Sequence, residues 1–195
     1  MILPIVAYGS PVLIKKAVTI PADYPGLSLL INDMFETMYN ARGVGLAAPQ
    51  VDLSIRLFIV DTAQLEHDEG DDDSDLPAEN GIKQVFINPE MIDKTGKKYA
   101  YNEGCLSIPH IREDVTRPES IKIRYQDENF QIHEAEFSGF AARVIQHEYD
   151  HIEGILFTDH LSALKKQLIK KKLERISKGE VRTDYRMKFF NLKRR

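Results

Sequence analysis

Leu27, Leu30, Ile31, Met34, Phe35 and Met38 recur at the i, i+3, i+4, i+7 spacing of an amphipathic helix. Asp23 is placed to cap its start and Gly43 to stop it, which predicts a first helix over about Tyr24 to Ala41. Four later runs are rich in β-branched and aromatic residues and are bounded by Gly, Pro, Asp and Asn: IRLFIV at 55–60, QVFINP at 84–89, IKIRY at 121–125 and IHEAEF at 132–137. They read as strands of small antiparallel sheets. A second helix begins after Ser138 and Gly139, with Phe140, Val144, His147 and His151 on one stripe flanked by Ala141, Ile145, Glu148 and Ile152. A third spans about Ser162 to Ser177, with Leu164, Leu168 and Ile169 expected toward the body and its lysines outward. The pattern predicts an α+β fold in one domain over 1–195, its small antiparallel β-sheets packed around the central second helix, with an N-terminal and a C-terminal helix.

Length supports that count. At 195 residues and 43% apolar composition, the chain can bury one real core and does not resemble disordered or collagen-like sequences. No run approaches the roughly 18 apolar residues of a membrane span, and the opening MILPIVAYGSPVL lacks a basic leader region and contains Pro4 and Pro11. The expectation is a cytoplasmic protein without membrane contact. The single cysteine, Cys105, cannot form an internal disulfide, so its roles reduce to packing, nucleophilic attack or metal ligation.

Charge is unevenly spread. The net value of -4 conceals 13 Lys or Arg against 3 acids between Lys165 and Arg195, over an otherwise acidic body. Residues 64–80 hold 8 acids and no base, and read as a mobile surface insertion without the spacing of an EF-hand loop. The basic tail over 178–195, with the lysine-rich helix before it, is either a solvated face or a surface that docks on RNA phosphates.

The chemistry concentrates at His147-Glu148-Tyr149-Asp150-His151. Two imidazoles one helical turn apart can grip one cation, with Glu148 beside it. The alternative is a histidine pair satisfied by hydrogen bonds in the core. A catalytic divalent site usually has three protein ligands and an open position for water. Downstream candidates for the third ligand fail: the position six residues after His151 holds Phe157, Glu174 lies in the lysine-rich helix, and His160 has no motif behind it. Cys105, in the compact Glu103-Gly104-Cys105-Leu106-Ser107 segment, remains, and a bound metal would keep its thiolate ionised. A cysteine nucleophile with a histidine base would leave the second His and the Glu without roles.

Three segments, GVGLAAPQ at 43–50, EGCLS at 103–107 and QHEYDHIEG at 146–154, are together similar to the signature motifs of the bacterial peptide deformylases, in that family's order. The likeness, including LPIVAYGSPVL at the start, covers roughly residues 2–165 apart from the acidic insertion. It implies a metallohydrolase of linear amides that removes the N-formyl group from the initiator methionine of nascent polypeptides and releases formate. By the same resemblance Cys105, His147 and His151 hold one divalent metal, with Fe(II) favoured and zinc, nickel or cobalt acceptable to the same ligands. Glu148 is then the general base, with the Gln50 side-chain amide and the Leu106 backbone N–H as oxyanion donors. Gly45 leaves room for an extended peptide; Val44, Phe140, Arg143 and Val144 approach the methionine pocket; Glu103 and Arg112 form a supporting pair. Arg143 stands where the family usually has an apolar residue. The implied partners are N-formylmethionyl peptides and, through the basic tail, the ribosome near its exit tunnel; the implied assembly is a monomer.

Two other classes share part of this pattern. A zinc endopeptidase would use HExxH but lacks a recognisable downstream third ligand, and an RNA-binding module with a structural zinc would leave Glu148 idle.

Overall fold

The computed structural model describes residues 1–64 and 81–190, so all of the acidic insertion after Gln64 and the last five residues of the basic tail lie outside the described residues. Seven strands and three α-helices follow in the order β1 (Ile5–Val6), α1 (Leu27–Asn40), β2 (Gly45–Ala47), β3 (Leu57–Asp61), β4 (Lys83–Cys105), β5 (Ile108–Gln126), β6 (Ile132–Ser138), α2 (Gly139–Glu153), α3 (Ala163–Ser177) and β7 (Met187–Lys188). Strands β2 to β6 form one antiparallel sheet in sequence order, while β1 and β7 pair separately and in parallel. The class is α+β, as expected, but the sheets are one five-stranded layer and a two-stranded parallel clip rather than several small antiparallel ones.

Strand β3 shows how the layers stack. Leu57 and Ile59 pack with Ile31, Met34 and Met38 of α1, whereas Phe58 and Val60 pack with Ala142, Ile145 and Ile152 of α2. The strand is buried on both faces, which is why IRLFIV reads as a continuous apolar run rather than an alternating one. Phe58, Phe86 and Tyr125 carry the aromatic core across three strands, with ring centroids 4.7 and 4.5 Å apart. A third apolar cluster, with Leu13, Ile108, Val115 and Phe157, receives Ile169, Leu173 and Ile176 of α3.

Several boundaries differ from the sequence expectation for identifiable reasons. Helix α1 starts at Leu27 behind Gly26, not at Tyr24 behind Asp23, because Pro25 disfavours the helical region for the residue before it. At the other end Arg42, with φ 55°, takes the left-handed turn, and Gly43 donates its N–H to the Met38 carbonyl. Strands β4 and β5 extend far beyond the predicted runs, since residues 92–98 are exposed and carry no alternating apolar signal. On α3 the buried stripe is Ile169, Leu173 and Ile176, and Leu164 and Leu168 are instead 68% and 70% exposed. At 100° per residue those two leucines lie well off the axis of that stripe, so only Ile169 faces the body as expected.

Candidate metal centre and substrate cleft

Helix α2 carries polar chemistry through the core, with Arg143, Glu148, Asp150 and His151 all buried along it. It ends at Gly154, whose φ of 75° suits glycine and where a Cβ would fall 2.8 Å from the Ile14 backbone. His147 and His151 stand one turn apart with ring centroids separated by 5.1 Å. Facing them, β4 ends at Cys105 in a tight hairpin that pairs Cys105 with Ile108. Cys105 Sγ lies 3.3 Å from His151 Nε2, and one ligand atom from each of Cys105, His147 and His151 falls within 4.8 Å of the others. The thiol predicted from mid-chain and the two late imidazoles therefore converge.

The donor set fits one divalent ion. Glu103 Oε2 lies 3.1 Å from His147 Nδ1, and an ionised carboxylate only accepts, so the Nδ1–H donates and the Nε2 lone pair is left for a ligand role. Burial opposes ionisation of the Cys105 thiol, yet the His151 charge and hydrogen bonds from His147 and His151 outweigh it and bring it down to about 5. A thiolate at neutral pH is the form that binds metal. A soft sulfur with two imidazoles suits zinc, iron, nickel or cobalt.

Behind the ligands lies a buried ionic network for which no sequence motif gave warning. Arg117, 3% exposed, donates through Nε and Nη2 to the two Glu103 oxygens at 2.7 and 3.0 Å and through Nη1 to Asp150 Oδ2 at 2.6 Å. His160 lies 2.8 Å from the same Asp150 oxygen. Burial raises the Glu103 carboxyl, but hydrogen bonds from His147 and Arg117 and the Arg117 charge hold it far below the ordinary carboxylate range. Arg112, the expected partner of Glu103, instead reaches Asn102, donating to its side chain at 2.9 Å and its carbonyl at 2.6 Å. Arg143 is among the residues that line the cleft, and its guanidinium donates to Glu103 Oε1 at 3.0 Å, the Val115 carbonyl and the Tyr99 carbonyl.

Glu148 occupies the remaining quadrant. Its carboxylate is buried, and Oε2 has no partner among the described residues. Burial pushes its pKa up to about 7 against the opposing charges of His147 and His151. Gly45 lies so near that a Cβ there would fall 2.5 Å from Glu148 Oε1. Gln50, 2% exposed, accepts the Ala47 N–H at Oε1, which turns its Nε2 toward Ser107 Oγ at 3.3 Å and Cys105 Sγ at 3.5 Å.

These groups open into a cleft of about 570 Å³. Val44, Gly45, Leu106, Phe140 and Val144 line it together with Gln50, Cys105, His147 and Glu148, whereas His151 lies behind the wall. A carboxylate near neutral pKa beside a three-donor ligand set in an open cleft is equipped for metal-assisted hydrolysis of a small acyl group.

The same conclusion comes from known proteins. The polypeptide deformylase family model matches residues 2–167. The chain is 58% identical to a peptide deformylase of Christiangramia forsetii over 100% of this chain and 99% of the relative, and 54% identical to one of Flavobacterium johnsoniae over 97% and 96%. Among solved structures, the plant peptide deformylase PDF1B superposes with a TM-score of 0.79 at 35% identity, covering 91% of this chain and 90% of that one. The Legionella pneumophila peptide deformylase does so with 0.77 at 34% identity over 94% and 99%. Matched by the family model over residues 2–167 and by relatives along its whole length, the chain belongs to the polypeptide deformylase family.

Proposed function

We propose that Cys105, His147 and His151 hold the divalent metal with which this deformylase removes the N-formyl group from nascent polypeptides, and that Glu148 is its proton carrier. The convergence of those three donors beside the unpartnered Glu148 Oε2 carries this reading. When bound, the metal supplies a Lewis acid that acidifies water and polarises the formyl oxygen. Glu148 takes the proton of the attacking water at its free carboxylate oxygen and hands it to the methionine nitrogen as the formyl C–N bond breaks, so formate and a free amine leave. A carboxyl titrating near 7 can serve both transfers. The Gln50 Nε2, oriented because its Oε1 accepts the Ala47 N–H, and the backbone N–H of Leu106 donate to the oxyanion that develops on the formyl oxygen. Val44, Phe140 and Val144 provide apolar surface for the methionine side chain, and Gly45 gives an extended peptide access to the loop backbone.

The resemblance to the bacterial deformylases favours Fe(II) as the working ion, while the same ligand set accepts zinc, nickel or cobalt. Exposed Lys166, Lys170, Lys171 and Lys172 on α3 favour contact with ribosomal RNA. The shared packing of α1, the sheet, α2 and α3 among the described residues supports one domain, and a monomer acting in the cytoplasm belongs to the same reading.

Formate release from formyl-Met-Ala tests the reaction. Wild-type protein loaded with Fe(II) is expected to release formate, and Cys105→Ser protein to lose both metal and turnover. Cleavage of internal peptide bonds without formate release would refute the assignment. Charge reversal at Lys166, Lys170 and Lys171 is expected to weaken ribosome binding while sparing the dipeptide reaction; unchanged ribosome binding would refute that contact.

A further inference from the structure

The family model stops at residue 167, yet the cleft continues into the chain beyond it. After α3, residues 181–189 bend at Asp184 and Tyr185 and end in the short strand β7, with Val181, Thr183, Tyr185, Met187 and Phe189 half-buried and the intervening residues exposed, an alternation of period two like that of a strand laid on a surface. The segment is fastened on both sides of its middle. His110 lies 2.7 Å from the Arg182 carbonyl, and downstream Met187 and Lys188 pair in parallel with Ile5 and Val6. Lys188 Nζ also reaches Asp52 at 2.6 Å. Thr183, Asp184 and Tyr185 thereby become part of the cleft wall.

Tyr185 Oη donates to the Leu106 carbonyl at 2.7 Å. Burial raises its pKa, so the phenol remains a donor at any working pH. The hairpin tip that carries Leu106 is otherwise held through Ser107, whose carbonyl accepts the Tyr8 N–H at 2.8 Å and whose hydroxyl accepts Gln50. Only the Tyr185 bond acts on the peptide group between Leu106 and Ser107 from the Leu106 side among these contacts. Fixing that carbonyl restrains the second peptide plane flanking Leu106, and with Cys105 paired to Ile108 on the first, the range of directions open to the Leu106 N–H narrows.

We propose that residues 181–189 form a working wall of the active site in which Tyr185 is a positioning residue, aiming the Leu106 N–H at the developing oxyanion. The inference deepens the reading of Leu106 as an oxyanion donor and rests on it. Positioning of this kind acts on the transition state more than on substrate binding.

Tyr185→Phe removes one oxygen and keeps the ring that fills the site. Its kcat on formyl-Met-Ala is expected to fall about five- to tenfold, the scale of one hydrogen bond's net contribution, with KM moving less than about twofold. Hydrogen–deuterium exchange of the peptide covering residues 104–108 is expected to quicken in the same variant, a readout independent of metal and turnover. Lys122→Met removes a surface ion pair with Glu134 on the sheet, outside the cleft lining, and is expected to leave both measurements unchanged. An unchanged kcat or unchanged exchange in Tyr185→Phe overturns the proposal, as does an equal loss in Lys122→Met. Absence of formate release by the wild-type protein would instead overturn the functional reading, and the exchange comparison would still decide whether Tyr185 holds the hairpin tip.

Discussion

Helices α2 and α3 are each fifteen residues long and equally regular, but they live under opposite conditions. Helix α2 is enclosed, with Arg143, Gln146, Glu148, Asp150 and His151 all buried beside its apolar residues, whereas α3 buries only Ile169, Leu173 and Ile176 and turns its lysines outward. The contrast teaches where charge has consequences. In α2 each buried charge needs a partner or a chemical purpose, and Asp150 and Arg143 have partners while Glu148 Oε2 has none. On α3 the charges are solvated and individually contribute little to the fold.

The sharpest way to test that contrast is to remove the α2 carboxylate whose Oε2 has no partner among the described residues. Glu148→Ala should lower kcat by about a thousandfold, since general acid–base catalysis supplies roughly 10²- to 10⁴-fold. Its melting temperature should hold or rise, because an unsatisfied buried oxygen has gone. A large loss of both activity and stability would show Glu148 to be structural.

Breaking the network behind α2 should do the reverse. Arg117→Leu removes the guanidinium that bridges the two buried carboxylates, leaving Glu103 to Arg143 and His147 and Asp150 to His160, and should destabilise the fold by about 3–5 kcal/mol in thermal or denaturant unfolding. Both carboxylates are held below their ordinary range, Asp150 by His160 and Arg117 acting against its burial. The stabilisation they give is complete above the ordinary carboxylate range, near about pH 4, and is lost as pH falls below it. Wild-type melting temperature should accordingly drop on acidification through that window. The Arg117→Leu protein should show a shallower drop.

Gly45→Ala is a subtler intrusion. The added methyl would fall within 2.8 Å of Glu148 Cγ and Cδ, so the side chain must move, and a displacement near 1 Å can cost about a hundredfold in turnover. Unchanged kcat would show that Glu148 has room to adapt. The smallest effects belong to α3: Leu164→Lys and Leu168→Lys should each change stability by no more than about 0.5 kcal/mol. A drop of several kcal/mol would mean those leucines are covered after all.

The same contrast explains what was legible in the sequence. His147, Glu148 and His151 announce themselves because a helix places them on one turn, and Cys105 stands out as the single thiol near a glycine. Gln50, Val44 and Gly45 came with the motif around them. Arg117 was not legible, because its partners Glu103 and Asp150 lie 14 and 33 residues away and one exposed-looking arginine in a strand resembles any other. The outer halves of β4 and β5 were missed because they lack a buried face, and Pro118 within β5 argues against a strand until its pairing opposite Lys98 is seen. Leu164 and Leu168 were placed inward because a leucine is read as buried by default, a rule that holds in one direction only. Tyr185 lies 79 residues from the carbonyl it holds, beyond any local pattern.

The parallel clip of β1 with β7 sets Ile5 opposite Met187 and Val6 opposite Lys188, residues from far apart in the sequence. Closing so long a loop is entropically costly and is repaid here by only two residue pairs, so this clip should be among the first contacts to open on mild heating or in dilute denaturant. A molecule loosened there would keep its five-stranded sheet and α2 while letting go of the segment that carries Tyr185.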